Sequence, residues 1–324
     1  MFFKSFITGI DIGTKSIKLV SAKICKNKIK IRNVSMIEIK EDYDEESHIY
    51  LAFDLIMQYK TKNNISLKNV ALICPNYLYN VIYVTLPEIK KEKDLKLAIN
   101  WEFKNKTGLP IEDFNIDYYP NGKVEDNNIE FLVYYAEKNK IEEIQRKGKF
   151  FGLNINYIDI DTIANVICFN TLYNLDDNIR VLLDMGYQHT NIAFVSKEKI
   201  LFNRVLNLGI RKLLSELENE EVKIFKVKGI NSDEIIQKVN DTLIDIIFEI
   251  TRTIDYFING LKQPAPVSII CNGGFFSIPG LFSFFKEHLP YPLILNNVFE
   301  HIDYNGEYKN VGHLFNLALG VALR

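Results

Sequence analysis

Short runs in which apolar and polar residues alternate make up much of the chain, with three- and four-residue apolar spacings confined to separate blocks. Alternation marks half-buried strands, and the 3.6-residue rhythm marks amphipathic helices. Ile10-Asp11-Ile12 and Ile17-Lys18-Leu19-Val20 read as two strands about a tight turn, and Lys28 to Glu38 alternates as a third. Ser47 caps a predicted helix to about Lys60, with Ile49, Phe53, Ile56 and Met57 on one face. Val70-Ala71-Leu72-Ile73-Cys74 follows as a short strand of buried type. Three strands, a helix and a strand make an α/β unit rather than a bundle.

The pattern changes after Val81. A strand ends at Leu86-Pro87, and a helix is predicted from about Lys91 to Lys106. Phe114 to Tyr119 and Ile129 to Ala136 pair as a hairpin across a polar loop, Asn121 to Asn128. A basic amphipathic helix, Lys140 to Phe151, stops at Gly152 and leads into the strand Asn154 to Ile158. Residues 82–157 thus read as an α+β insertion before a long helix that follows Asp161. Ile210 to Leu217 is predicted helical, and Glu221 to Gly229 reads as a lysine-rich connection. Asn231 and Glu234 form a candidate capping box for a long helix whose apolar positions run from Ile235 to Phe257. Val267 to Cys271 is a buried strand; Pro279-Gly280 opens another helix, and a last one spans Val311 to Leu323.

One motif is written twice. Leu183-Asp184-Met185-Gly186, the turn Tyr187-Gln188-His189-Thr190 and the strand Asn191 to Val195 repeat Ile10-Asp11-Ile12-Gly13, Thr14-Lys15-Ser16 and Ile17 to Val20. Eight residues beyond each Asp the side chain is apolar (Leu19, Ile192), so the copies share a register. Gly13 and Gly186, lacking side chains, let the backbone turn tightly and approach a ligand. Successive turn N–H groups then form a concavity for phosphate oxygens. Asp11 and Asp184 are hard oxygen donors suited to Mg²⁺ through the metal's waters. Thr14, Ser16 and Thr190 offer hydroxyls, and Lys15 or Lys18 a positive charge. A single Asp-x-Gly is a common hairpin turn; the matched duplication points instead to a phosphate tail gripped from both sides. Asn272-Gly273-Gly274 between strand and helix offers bare backbone to a flat ring, with tight helix–strand packing as the alternative reading.

Length and charge narrow the classes. A chain of 324 residues suits about two domains, and 47% hydrophobic with 25% charged residues is ordinary for a globular protein. A net charge of −2 gives no reason to expect nucleic acid or an anionic membrane as the main partner. The runs Lys90-Lys91-Glu92-Lys93 and Glu41 to Glu46 read as solvated surface. Four cysteines without a CxxC pair, three in apolar contexts, suggest buried thiols in a reducing compartment. The five histidines lack metal-ligand spacing, and His189 reads as a turn residue. Without a signal-peptide core or an apolar run near the ~20 residues of a membrane span, a cytoplasmic protein is expected.

With these motifs in this order, the chain resembles the actin-like ATPase superfamily, and more narrowly the type IV pilus assembly protein PilM family, related to the cell-division protein FtsA. The traits are Gly9 to Thr14, Leu86-Pro87 followed by Ala98-Ile99-Asn100-Trp101-Glu102, Asp159 to Ala164, Gly273-Gly274 before Pro279-Gly280-Leu281, and the ending Ala318 to Arg324. The resemblance implies an α/β, actin-like (ribonuclease H-like duplicated) two-lobe fold with an inserted α+β subdomain. Residues 1–81 would be the first lobe, 82–157 the insertion and 158–206 the second lobe's core. Residues 207–265 would be its outer subdomain, and 266–324 the completed core with the C-terminal helix.

ATP and Mg²⁺ are the implied cofactors. Asp11, Gly13, Thr14, Lys15 and Ser16 match one phosphate loop, Asp184, Gly186 and Thr190 the other, and Gly273 and Gly274 the adenosine motif. Asp161 stands where relatives carry Glu, as a candidate catalytic residue that orients water; a helix N-cap is the alternative. Relatives carry Ala-Glu and, three residues on, Lys; here Lys226 survives and the acid is Lys223, which cannot accept a ribose hydrogen bond. Nucleotide binding with slow or absent hydrolysis is therefore expected. The implied partners are the cytosolic N-terminal tail of a PilN-type inner-membrane protein, other pilus assembly proteins and further copies of the chain. Phe103 and Phe114 are the candidate groove liners. An FtsA-like protein, expected to carry an amphipathic membrane helix past Arg324, a type II secretion or competence component, and a small-molecule kinase stay open as alternatives.

Overall fold

Residues 5–26, 28–40, 45–123, 128–173, 176–197 and 199–324 are described in the computed structural model. The acidic residues Glu41 to Asp44 and the loop residues Val124 to Asn127 lie outside them. The first unit comprises β1 (Ile7–Ile12), β2 (Ser16–Cys25), β3 (Lys28–Glu38), α1 (Glu45–Asn63) and β4 (Val70–Ile73). Ile49, Phe53 and Ile56 bury the predicted face of α1; Ser47 is its third residue, so it does not cap the helix. An insertion follows, with β5 (Asn80–Pro87), α2 (Glu92–Thr107), β6 (Phe114–Lys123), β7 (Asn128–Glu137) and α3 (Lys138–Phe150). β8 (Ile155–Asp159) then returns to the first sheet, giving the order β3-β2-β1-β4-β8.

The second half repeats the plan. After α4 (Asp161–Leu172) come β9 (Arg180–Met185), β10 (Thr190–Ser196), β11 (Lys199–Leu206), α5 (Ile210–Leu214), α6 (Asn219–Lys228) and α7 (Asp233–Asp255). β12 (Ser268–Asn272), α8 (Leu281–His288), β13 (Leu293–Leu295) and α9 (Asn316–Ala322) complete the chain. The sheet order is β11-β10-β9-β12-β13, so each lobe has three antiparallel strands joined to two parallel ones. α7 buries Val239, Leu243, Ile246, Ile250 and Ile254 against the second sheet, the stripe its spacing predicts.

Glu221 to Gly229 is not a connection: α6 runs through it, and its capping box is Glu218 with Glu221. The box expected at Asn231 and Glu234 does not form; α7 starts after Ser232 without a side-chain cap bond. β11 and β13 went unnamed in the sequence. The predicted C-terminal helix divides into a 3₁₀ turn at Gly312–Leu314 and α9.

Two helices join the lobes. α4 packs Ile163, Val166 and Phe169 against Leu182, Ala193 and Val195 of the second sheet. The resemblance assigns α9 to the second lobe, yet its Ala318, Leu319 and Ala322 pack with Val20 and Ala22 of the first. Where the helices cross, a Cβ on Gly320 would lie 1.9 Å from the Ala164 carbonyl oxygen. On the other side of α9, a Cβ on Gly9 would lie 1.9 Å from the Ala318 oxygen. Only hydrogen fits at either point.

The inserted sheet, ordered β5-β7-β6, also leans on the second lobe. Leu132, Tyr134 and Tyr83 join the cluster with Val195 and Ile200, and the Tyr83 hydroxyl donates to the Asn203 carbonyl at 3.0 Å. Tyr83→Phe is expected to cost about 1 kcal/mol, read as a shift in the urea unfolding midpoint at constant slope.

Candidate functional site

Both Asp-x-Gly copies are hairpins of identical register. Asp11 pairs with Lys18 across β1 and β2, and Asp184 with Asn191 across β9 and β10, so each Asp faces the residue seven positions on. Each turn is closed by its glycine: the Gly13 N–H donates to Ser16 O at 3.0 Å and the Gly186 N–H to His189 O at 2.8 Å. The two turns face each other over a cleft of about 500 Å³, within the range of small-ligand sites. Asp11, Gly13, Thr14, Lys15, Ser16, Asp161, Asp184, Gly186, Gly273 and Gly274 all line it.

The residues seven positions on from the two aspartates differ, and so does the chemistry. Lys18 Nζ lies 3.3 Å from Asp11 Oδ2 and supplies a counter-charge. Asp184 has Asn191 at the matching position, and Asn316 Nδ2 donates to its Oδ2 at 3.1 Å. Though part of Asp184 opens to the cleft, desolvation raises its pKa to about 7. The Asn316 bond and the Lys18 charge oppose that rise, while the negative charges of Asp11 and Asp161 add to it. Three carboxylates therefore line one cleft, with Lys18 placed against Asp11.

Asp161 is the first residue of α4, following the N-cap Ile160, so it is not itself the cap. Its Oδ1 accepts from the Thr162 amide at 2.6 Å, the Thr162 hydroxyl at 3.3 Å and the Tyr79 hydroxyl at 2.8 Å. Next to it, Asn191 Nδ2 donates to Thr162 Oγ1 at 2.8 Å, and Asn191 Oδ1 is buried with no protein partner. A buried carbonyl oxygen without a donor is costly, and a water, a metal-bound water or a ligand hydroxyl in the cleft would satisfy it. Neither Asn191 nor Asn316 was anticipated. The shared register pointed to the first; nothing in the sequence pointed to the second.

Gly273 adopts φ +91°, and a Cβ there would lie 2.2 Å from Met185 O and 2.5 Å from Asp184 Oδ1. It lets β12 end directly against the second hairpin. Gly274 is different: only Leu314 comes as near as 4.0 Å to its added Cβ, so it presents open backbone to the cleft. Behind it, Asn316 also donates to Asn165, and a chain of buried carboxamides continues through Asn272 and Asn296 to the Tyr173 hydroxyl.

Three sequence-derived candidates fall elsewhere. Thr190 is buried, its hydroxyl donating to Leu208 O at 2.7 Å inside the fold. Lys226 is exposed on α6 and does not line the cleft, and Lys223 pairs in solvent with Glu220 at 2.7 Å. Phe103 is fully buried in a three-ring cluster with Phe114 and Tyr135, with centroids 5.0–5.8 Å apart, because α2 turns it toward its own sheet. Phe114 is only partly buried there. The bulky second turn reaches across the cleft: Thr14 Oγ1 donates to Gln188 Oε1 at 3.3 Å, and Lys15 Nζ lies 5.1 Å from the Tyr187 ring centroid. The thiols of Cys74, Cys168 and Cys271 are buried, Cys74 at the cleft wall with its pKa pushed up to about 12 by burial and by Asp161 and Asp159.

A family model described as type IV pilus assembly protein PilM matches residues 9–324. The chain belongs to the PilM family. It is thus a type IV pilus assembly protein. Comparison with curated proteins finds no match. Among solved structures, a PilM-PilN type IV pilus biogenesis complex aligns at TM-score 0.83 and 19% identity, covering 98% of this chain and 97% of that one. The ethanolamine utilization protein EutJ from Carboxydothermus hydrogenoformans aligns at TM-score 0.57 and 15% identity, over 99% and 90%. A Bacteroides thetaiotaomicron protein with an actin-like ATPase fold and unknown function aligns at 0.52 and 10%, over 99% and 97%. At these identities the likeness establishes the fold, which is actin-like. Among the described residues, no helix of this PilM-family chain is long and apolar enough to cross a membrane.

Proposed function

We infer that the chain is an ATP-binding adaptor of the type IV pilus machine. The cleft would hold ATP with Mg²⁺, and the molecule would capture the N-terminal cytosolic tail of a PilN-type membrane protein. The observation that carries the nucleotide reading is the convergence of Asp11, Asp184 and Asp161 on one cleft, with the donor-seeking Asn191 oxygen among them. A divalent cation would relieve that crowding of negative charge, and its water shell would supply the donors that the carboxylates and Asn191 Oδ1 need. The two glycine turns would meet phosphate oxygens, and Gly273-Gly274 would back the base. Mg²⁺ would neutralise the triphosphate and hold its orientation.

The partner reading rests on family membership and on the solved PilM-PilN complex, which names such a partner for a relative. The tail would dock beside the inserted sheet, where an extended peptide can use strand edges and side-chain pockets. Phe114 remains a candidate there; the buried Phe103 would support it from beneath. Recruitment to the inner membrane would then come through the partner.

Titration with Mg²⁺ and a fluorescent ATP analogue, run beside Asp11→Ala, tests the cleft. Affinity is expected to fall about tenfold, the size of a lost charge-assisted contact; equal affinity for both proteins would exclude Asp11 from the site. A synthetic tail peptide, titrated with and without nucleotide, tests the adaptor role separately. Slow or undetectable phosphate release is expected, since Asp161 is a methylene shorter than Glu.

A further inference from the structure

The overall charge of −2 conceals a strong segregation of sign in the first lobe. Residues 12–37, 55–87 and 144–158 contain no aspartate or glutamate, and the fold gathers most of their cations at one end. The β2–β3 hairpin closes there with exposed Lys26, Lys28, Lys30 and Arg32. Lys23 stands directly opposite Lys30, and like charges so placed repel. The Phe6 ring centroid lies 4.6 Å from Lys23 Nζ and 4.0 Å from Arg32 Cζ, which steadies both cations without neutralising them. Because β1, β4 and β8 run parallel, their starts meet at this same end: the Thr8 amide donates to Asn69 O and the Val70 amide to Asn154 O. α1 ends beside them with Lys60 and Lys62, and Lys68 leads into β4.

α3 adds an apolar element. It ends at this face with exposed Lys149 and with Phe150, which is 84% exposed and stands on the half-buried Phe151 at a centroid distance of 5.2 Å. An open hollow of about 550 Å³, lined by Lys60, Ser66, Lys68, Gly152 and Asn154, lies between α1 and the start of β8. The cleft is at the other end of these elements: twelve residues of α1, about 18 Å, separate His48 of the cleft from Lys60. An anionic leaflet fits this surface, since its negative potential attracts clustered lysines and its headgroup zone accepts an aromatic ring. A nucleic acid duplex would meet the cations but offers the projecting Phe150 no apolar layer. We propose that this end of the first lobe rests on an anionic lipid bilayer, with a headgroup phosphate in the hollow and Phe150 among the headgroups. The contact is additional to any made through a membrane partner, and it rests on neither the nucleotide nor the tail-peptide reading.

The test spins the purified full chain down with vesicles of phosphatidylcholine alone, or with about one-third phosphatidylglycerol. The chain is expected to pellet with the anionic vesicles only, and less so as salt is added. Each cation at an anionic leaflet is worth about fivefold in binding. Lys28→Gln/Lys30→Gln/Arg32→Gln and, separately, Lys60→Gln/Lys62→Gln/Lys68→Gln should therefore each weaken binding at least about tenfold. Phe150→Ala should weaken it at least about threefold while leaving its salt dependence unchanged. Lys223→Gln/Lys226→Gln/Lys228→Gln removes as much charge from the second lobe and should bind like wild type. Every variant should keep the wild-type melting curve, since the altered side chains lie at the surface. A wild-type chain that stays in the supernatant, or first-lobe variants that pellet like wild type, would overturn the proposal. Equal weakening by the second-lobe variant would do the same, by making binding a matter of total charge. So would a chain that ignores vesicles but retards a DNA duplex in a gel, which would give these cations to a phosphodiester backbone.

Discussion

Replacing Gly320 with valine is expected to cost at least about 3 kcal/mol, an overpacking penalty of the larger kind. Its Cβ would sit 1.9 Å from a backbone oxygen of Ala164, so no side-chain rotation can relieve the clash. The helices must move apart, although α9 packs on the first sheet and α4 lies between that sheet's Ala71 and Ile73 and the second sheet. The displacement therefore spreads into both lobes and opens the cleft floor, where Asn316 of α9 holds Asp184. Calorimetry should show a melting temperature lower by about 5 °C or more, and nucleotide affinity should fall with it. A variant melting within about 1 °C of the parent would show that the crossing has slack.

Asp184→Asn is expected to reshape how stability depends on pH. The folded chain holds the Asp184 proton with a pKa of about 7, against about 3.9 for an ordinary aspartate. A raised carboxyl pKa means that the folded state binds the proton more tightly than the unfolded one. The resulting stability is fully present below the unfolded value and disappears as pH rises through the folded value. The parent should therefore lose stability from about pH 4 to about pH 7, by at most roughly 4 kcal/mol. Asparagine keeps an oxygen for Asn316 and cannot ionise, so the variant's profile should be flatter and its stability at pH 8 higher. Melting curves from pH 5 to 8 decide it: parallel profiles would remove Asp184 as the source. Millimolar Mg²⁺ should stabilise the parent more than the variant above pH 7, by linkage to the charged form.

Much of the fold was readable because the duplicated hairpin is a local device. Turn chemistry and period-two alternation act over a few residues, so Asp11-Ile12-Gly13 and Asp184-Met185-Gly186 declared both the bend and the register of the strands around it. α7 was equally plain, since a 23-residue amphipathic stripe repeats its message several times. β13 has three residues, too few to alternate visibly, and α6 is written in lysines and glutamates that serve equally as a linker. Thr190 was misread because position in the turn suggests exposure, whereas the closing strand carries its hydroxyl inward to Leu208. Asn316 could not be found at all: its link to Asp184 spans 132 residues and depends on α9 crossing between the lobes.

The inserted sheet has a mechanical consequence. Its chain tethers it to one lobe through β4 and β8, while Tyr83 and Tyr134 rest it on the flank of the other. It works as a doorstop. If the wedge keeps its place on the first lobe, opening the jaw about the Ala164–Gly320 crossing would slide it along β11 and part Tyr83 from Asn203. Whatever peptide seats itself against the wedge would be felt at the pivot as resistance or as leverage.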